Sequence, residues 1–218
     1  MSRLLNSFFY LLYHPFAWAY DFVAAVVSLG QWKTWVYSIV PFLAGPRILE
    51  LGHGPGHLLA MLEKRGLNGY GLDRSPQMSR QAFRRISRMF PTSTPKLTLG
   101  QGEELPFANS IFQTVVTTFP TLYITQPQTL SEVRRILALE GQLIILLSAW
   151  ITGRSLPERA LALLYNITGE SLQLDNERIN SLKNLFYRAG FLVEIKWLEQ
   201  KTTRLLVIVA TKSEEPKE

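Results

Sequence analysis

The sequence predicts an α/β fold in which a mostly parallel sheet is covered by helices on both faces. Short apolar runs, several rich in β-branched residues, alternate with stretches of helical period along residues 47–211. The first run also passes through a glycine-rich turn directly into a helix. A chain of 218 residues with 47% apolar content is long enough for one well-packed domain. The expected organisation is a helical cap over residues 1–46, a sheet domain over 47–212 and a polar tail over 213–218.

Between Leu4 and Pro46 only Asp21 and Lys33 are charged, whereas Trp18, Trp32 and Trp35 supply large amphipathic rings. Pro15, Gly30 and Pro41 interrupt the segment, so it holds no clean apolar run of about 20 residues and argues against a membrane span. Short helices are expected over about 3–13, 16–29 and 31–40. They either pack on the sheet alone or also touch a bilayer.

Residues 47–73 read RILELGHGPGHLLAMLEKRGLNGYGLD. This is a strand, a turn with Gly52, Gly54 and Gly56, a helix, and a second strand closed by Asp73. Glycines at a strand-to-helix turn permit positive φ and let a ligand lie against bare main chain, and the first amides of the helix favour negative charge. An acid about 20 residues on suits a ribose diol. The ligand implied is a nucleoside-containing cofactor. His57 stands where the dinucleotide fingerprint needs glycine, and no Gly-Lys-Ser/Thr follows to make a P-loop.

Further along, Ser75 reads as an N-cap with Pro76 at the first helical position, opening a helix to about Phe90. Arg80, Arg84 and Arg88 share one face of it, with Met78, Ala82, Ile86 and Met89 leaning elsewhere. Strands are expected over Lys96–Leu99, Ile111–Thr118, Gly141–Ser148, Phe191–Leu198 and Thr203–Thr211, the last two as an antiparallel pair. Helices are expected over Gln126–Leu139, Leu156–Ile167 and Asn176–Ala189, the last ended by Gly190.

With these elements placed, Glu50–Gly56 (E-x-G-x-G-x-G) resembles the first motif of class I S-adenosylmethionine (SAM) methyltransferases. GLDRSPQM at 71–78 resembles the family's G-hydrophobic-D-x-S-P-x-M, and GQGEELPF at 100–107 its G-D-A-x-x-L-P-F, with Gln101 and Gly102 in place of Asp and Ala. The resemblance implies a Rossmann-like class I methyltransferase fold: a seven-stranded, mostly parallel sheet with the last strand antiparallel, plus the N-terminal helical cap. Upstream, Tyr20, Asp21, Ser28, Gly30 and Trp35 form Y-D-x6-S-x-G-x4-W. That pattern resembles a segment of ubiquinone/menaquinone C-methyltransferases, in the methyltransferase type 11 group, which helps close over the cofactor. Bacterial phosphatidylethanolamine N-methyltransferases carry a looser version. The quinone family's S-F-G-x-R-N is here Thr118 to Tyr123, without the Arg-Asn pair.

The resemblance implies SAM as cofactor and S-adenosylhomocysteine as product. It assigns Glu50, Gly52, His53, Gly54 and Gly56 to the methionine end, Asp73 with Arg74 to the ribose, and Gln101, Gly102 and Glu103 to the adenine side. Thr118 and Tyr20 join the cofactor contacts, and Tyr20 and His14 are the candidates for touching the acceptor. His53 is expected to pack on the cofactor or cap a carbonyl, and His57 to be solvated or capping. No metal is expected: His53 and His57 are separated by the turn and no third ligand is evident. Absence of cysteine excludes disulfides and thiolate sites, and absence of G-x-S-x-G removes a nucleophile elbow.

A net charge of +6 is compatible with anionic lipid, nucleic acid or neither, and no basic recognition domain points to nucleic acid. The expected activity is SAM-dependent methyl transfer to a small, lipophilic acceptor, quinone-like or phospholipid-like, in the cytoplasm with peripheral contact to the inner face of the membrane. The alternative is a catalytically inactive SAM-fold binding or scaffold protein. Its motivation is Gln101, Gln113 in place of an acid, and Leu139-Glu140-Gly141-Gln142 in place of a P-G-G turn.

Overall fold

A computed structural model describes residues 20–153, 155–156 and 176–213. The expected helix over 3–13, the start of the one over 16–29, His14, nearly all of the insertion helix over 156–167 and the tail beyond 213 lie outside the described residues. In chain order the elements are α1 (Tyr20–Val27), α2 (Trp32–Tyr37), a 3-10 turn (Val40–Phe42), β1 (Ile48–Leu51), α3 (His57–Lys64), β2 (Gly69–Asp73), α4 (Pro76–Met89) and β3 (Lys96–Leu99). There follow β4 (Phe112–Thr118), a 3-10 turn (Leu122–Thr125), α5 (Pro127–Ile136), β5 (Leu137–Ile151), α6 (Asn176–Arg188), β6 (Phe191–Glu199) and β7 (Thr203–Lys212).

The seven strands form one sheet in the order β3-β2-β1-β4-β5-β7-β6. β1 pairs in parallel with β2 and β4, and β7 runs antiparallel between β5 and β6. After β3 the chain crosses back to the other side of β1, so the order reverses between β1 and β4. In open α/β sheets a crevice forms at such a point, outside the carboxyl ends of the strands.

Alternation along the central strands feeds two cores. Val116 and Ile144 face a cluster with Trp35, Ile39, Leu58 and Leu62, while Val115 and Ile145 face Leu130, Phe186 and Phe191 on the other side. The N-terminal cap therefore supplies buried side chains to one core. α4 behaves as its pattern predicts, with Ser75 Oγ accepting from Met78 N–H (3.2 Å) and Met78, Ala82 and Ile86 buried. Met89 departs from the expectation: it is 53% exposed, beside the exposed Arg88.

The second departure is at α5, which ends at Ile136 rather than Leu139. Leu137 already pairs with Phe112, and a register shift follows before Thr114 pairs with Gln142. Glu140 takes φ 57° in that irregularity. The run Leu137–Leu139 suits a helix by propensity, and pairing with β4 overrides it.

Candidate functional site: a cleft at the carboxyl ends of the strands

A cleft of about 480 Å³ opens over the ends of β1, β2 and β4. Its floor is the turn after β1. Gly52, Gly54 and Gly56 have φ of 69°, 52° and 78°, a region that side chains other than glycine seldom occupy. A Cβ on Gly54 would meet nothing within 4 Å, so its bare backbone faces open space. Gly56 is a correction to the expected contacts: it does not line the cleft. A Cβ there would stand 2.7 Å from that of Ala82, so this glycine lets α3 start close against α4.

Two buried acids flank the turn. Asp73 accepts from Gly54 N–H through Oδ2 (2.9 Å) and from Ser75 N–H through Oδ1 (2.8 Å). It thereby fixes the turn after β1 and the start of α4, and each oxygen keeps a further lone pair. Glu50, 2% exposed, has a buried Oε2 without a partner among the described residues. Burial, and next the charge of Asp73, push its carboxyl well above the usual range, against a hydrogen bond from Leu59 N–H in the first turn of α3. The helix amide expected to stand free for a ligand is thus shared with Glu50.

His53 lies 2.7 Å from the Gly54 carbonyl through Nδ1, which makes Nδ1 the donor, and 3.4 Å from the Ser79 hydroxyl through Nε2. Burial lowers its pKa, with Asp73 and the Gly54 carbonyl opposing, so the ring is held neutral as a carbonyl cap. His57 corrects the expectation of a solvated side chain: it is 8% exposed and Nε2 meets Asp21 Oδ1 at 2.9 Å.

On the far wall Arg74, Gln101, Gly102 and Glu103 line the cleft with Gly100. Arg135 clamps the loop that carries them. Its guanidinium donates to the carbonyls of Leu105 and Phe107 and pairs with Glu132, which accepts Leu105 N–H (2.8 Å). Glycine at 102 has a packing reason: a Cβ would approach Thr129 Cγ2 to 3.0 Å and Tyr123 Cδ2 to 3.1 Å. Gln113 and the Leu139–Gln142 stretch sit at the opposite, amino-terminal ends of β4 and β5. Gln113 Oε1 accepts from Arg47 N–H (3.1 Å) at the start of β1, and Gln142 lies at the beginning of its pairing with β4. Neither lines the cleft; the departures that touch it are Gln101 and Gly102, and the Thr118–Tyr123 stretch that lacks the quinone family's Arg-Asn pair.

The remaining wall is aromatic. Tyr20 meets Trp32 edge-on (6.0 Å, 82°), and Trp32 lies 4.6 Å from Phe119 at 31°. Thr118 lines the cleft at the end of β4, and Phe119 beyond it takes φ 49°, a left-handed conformation unusual for a bulky residue. The Y-D-x6-S-x-G-x4-W residues now have separate jobs. Ser28 Oγ accepts from Trp32 N–H (2.9 Å), Gly30 turns at φ 76°, and Trp35 is buried in the core. Sequence reading missed Tyr123, whose hydroxyl donates to Leu51 carbonyl (3.3 Å), meets Thr117 Oγ1 (3.0 Å) and backs onto Gly52. It also missed Trp32 and Phe119 as cleft residues. Their signal was available: both fall within the two motifs compared with quinone methyltransferases.

Comparison with known proteins agrees with this geometry. A family model described as a methyltransferase domain matches residues 48–141. Demethylmenaquinone methyltransferase of Symbiobacterium thermophilum is 31% identical over 143 residues, which are 62% of this chain and 57% of that protein. The chain thus matches little more than half the length of that relative. Among solved structures, a SAM-dependent methyltransferase from Thermotoga maritima (19% identity, TM-score 0.64) is covered over 99% of its length by 94% of this chain. Magnesium protoporphyrin IX methyltransferase from Synechocystis, with bound S-adenosylhomocysteine, gives 19% identity and a TM-score of 0.61 with 88% of each chain covered. At such identity the two structures speak to the fold. Residues 48–141 thus match a methyltransferase domain, and the strand order around the glycine turn and its two acids gives the chain a fold similar to that of SAM-dependent methyltransferases.

Proposed function

We propose that the protein catalyses methyl transfer from SAM to a small, lipophilic acceptor held against the aromatic wall. The observation that carries this reading is the juxtaposition, in one cleft, of buried Glu50, the bare turn at Gly52–Gly54 and Asp73 with the ring wall of Tyr20, Trp32 and Phe119. The residues present fit the cofactor. The unpartnered Glu50 Oε2 suits an ammonium group, the Asp73 lone pairs suit ribose hydroxyls, and the Gly100–Glu103 loop suits an adenine edge. Bound SAM supplies an electrophilic methyl on a sulfonium. The chain's part is to hold donor and acceptor in line and to exclude water.

Residues 20–46 act in this reading as a cap over the cleft, and the sheet from residue 47 onward carries the cofactor. Tyr20 and Phe119 orient the acceptor. His53 is spent on the Gly54 carbonyl and so serves the turn rather than proton removal. A quinone-like acceptor is supported by the aromatic wall and by the Symbiobacterium relative's activity on demethylmenaquinone. The scaffold alternative loses ground because Gln113 and the Leu139–Gln142 turn lie away from the cleft.

Approach to a membrane surface is part of this proposal. No helix among the described residues is long and apolar enough to cross a membrane. Phe22 and Val26 on α1 and Phe83 on α4 are nonetheless exposed, the last among the exposed Arg80, Arg84 and Arg88. The test is incubation of the protein with methyl-labelled SAM and extract, followed by separation of quinones, phospholipids and water-soluble products. Label in an apolar, protein-dependent product is expected. Label confined to polar products would overturn the acceptor class, and no transfer to any fraction would favour the scaffold.

A further inference from the structure

Arg85 carries no part of the reading so far, although it stands at the junction of the cap and the turn. Its Nη1 donates to the Pro55 carbonyl, inside the turn, and its Nη2 to Asp21 Oδ2 on the first turn of α1. The other Asp21 oxygen meets His57 Nε2 at 2.9 Å. One carboxylate is therefore held by two residues that belong to the cofactor turn or brace it. Its neighbour Tyr20 lines the cleft.

The other end of α1 is tied differently. Ser28 is fully buried, and Gln31 Oε1 accepts from the hydroxyls of Thr202 (3.0 Å), in the β6–β7 connection, and Thr203 (3.1 Å), at the start of β7. Between the two ends Leu29 and Gly30 turn at φ 49° and 76°. The Gln31 end is seated among buried groups. The Asp21 end rests on an ion pair whose side chains are 45% and 21% exposed. An arginine suits that place because its planar fork reaches a carbonyl and a carboxylate at once.

We propose that Arg85 and His57, acting through Asp21, are positioning residues that latch α1 over the cofactor turn, and that α1 swings about Leu29–Gly30 to admit and release ligand. This rests on the reading of the cleft as a SAM site. Loss of the latch should raise both association and dissociation rates of S-adenosylhomocysteine, because opening limits both. A merely structural role would not speed association.

The experiment is stopped-flow mixing of S-adenosylhomocysteine with wild type, Arg85→Gln, Arg85→Lys, Asp21→Asn and the Arg85→Gln/Asp21→Asn double variant, read by tryptophan fluorescence. Amide hydrogen exchange of residues 20–27 is measured on the same ligand-free proteins. Arg85→Gln is expected to speed exchange and both ligand rates about tenfold, equivalent to about 1.4 kcal/mol. The double variant should go no further than the singles, and Arg85→Lys should fall between. Unchanged exchange in folded Arg85→Gln or Asp21→Asn would overturn the latch whether or not ligand binds. Faster dissociation with slower association would overturn it too. Wild type that fails to bind S-adenosylhomocysteine would instead overturn the cofactor reading.

Discussion

The two halves of the cleft are built by different means. The proposed cofactor half is main chain and buried acid: a glycine turn, two backbone amides on Asp73, and Glu50 with one oxygen unpartnered among the described residues. The proposed acceptor half is side chain and ring: Tyr20, Trp32 and Phe119 brought together from separate segments of the chain. Backbone fixed by local hydrogen bonds is preorganised before ligand arrives, whereas a wall made by a hinged cap takes its shape when the cap is seated. The cofactor half should accordingly respond to substitution in affinity, and the acceptor half in closure and acceptor choice.

The sharpest way to break this contrast is Asp73→Ala. It orphans the amides of Gly54 and Ser75 as well as removing the ribose partner. Two amides left without their acceptor, at about 1–3 kcal/mol each, should lower stability by about 2–6 kcal/mol, and S-adenosylhomocysteine affinity should fall by at least about tenfold. Asp73→Asn, which keeps one acceptor oxygen, should recover part of the stability. Urea unfolding and calorimetric titration read both quantities. Full affinity in folded Asp73→Ala would show that the turn needs no acid.

Glu50→Gln should act in opposite directions on folding and binding. Folding raises the Glu50 pKa above its ordinary 4.5, so the contribution favouring the fold is full below that value and is lost as pH rises through the raised one. Glutamine does not pay this cost. The variant's melting temperature should exceed wild type by about 3 °C at neutral pH, with the gap closing toward pH 4, while S-adenosylhomocysteine binds more weakly. A variant less stable than wild type at neutral pH would contradict the assignment of a strained acid.

On the acceptor side, Phe119→Gly and Phe119→Ala both remove the ring from Trp32, yet only glycine relaxes at φ 49°. Glycine should be the less destabilising by about 1 kcal/mol, with cofactor affinity nearly unchanged in both. Equal loss of stability would mean that the left-handed conformation is not strained. The smallest effect belongs to Gln31→Ala. It deprives the two threonine hydroxyls of their acceptor and should cost about 1 kcal/mol in urea unfolding.

The same contrast explains how much was legible in the sequence. Residues 47–73 could be read almost completely, because strand, turn, helix and acid follow one another and the ligand chemistry dictates their spacing. Two features of it were hidden: the partner of His57, and the outward placing of Gly56, since a glycine required by helix packing looks the same as one required by a ligand. The seven strands were legible from short apolar runs, several of them β-branched, except that β5 starts at Leu137, where pairing with Phe112 outweighs a helical pattern. Contacts between segments far apart in sequence, among them the aromatic wall and the junction of α1 with the turn, were not legible in this way. His57 looked solvated because its partner Asp21 lies 36 positions away, and Arg85 was lost among Arg80, Arg84 and Arg88 because its partner lies 64 positions away. A periodicity shows which face of a helix is polar, and it does not show which arginine on it is used.

The most direct test of the two-part cleft is amide hydrogen exchange of the unaltered protein with and without S-adenosylhomocysteine. Slower exchange is expected at residues 52–56 and 100–103, where the cofactor meets main chain, and also over 20–27, where α1 seats on it. Protection at the turn without the cap would show the acceptor wall to be independent of the cofactor. Unchanged exchange at residues 52–56 under saturating ligand would contradict the central claim that the glycine turn and Asp73 form the cofactor site.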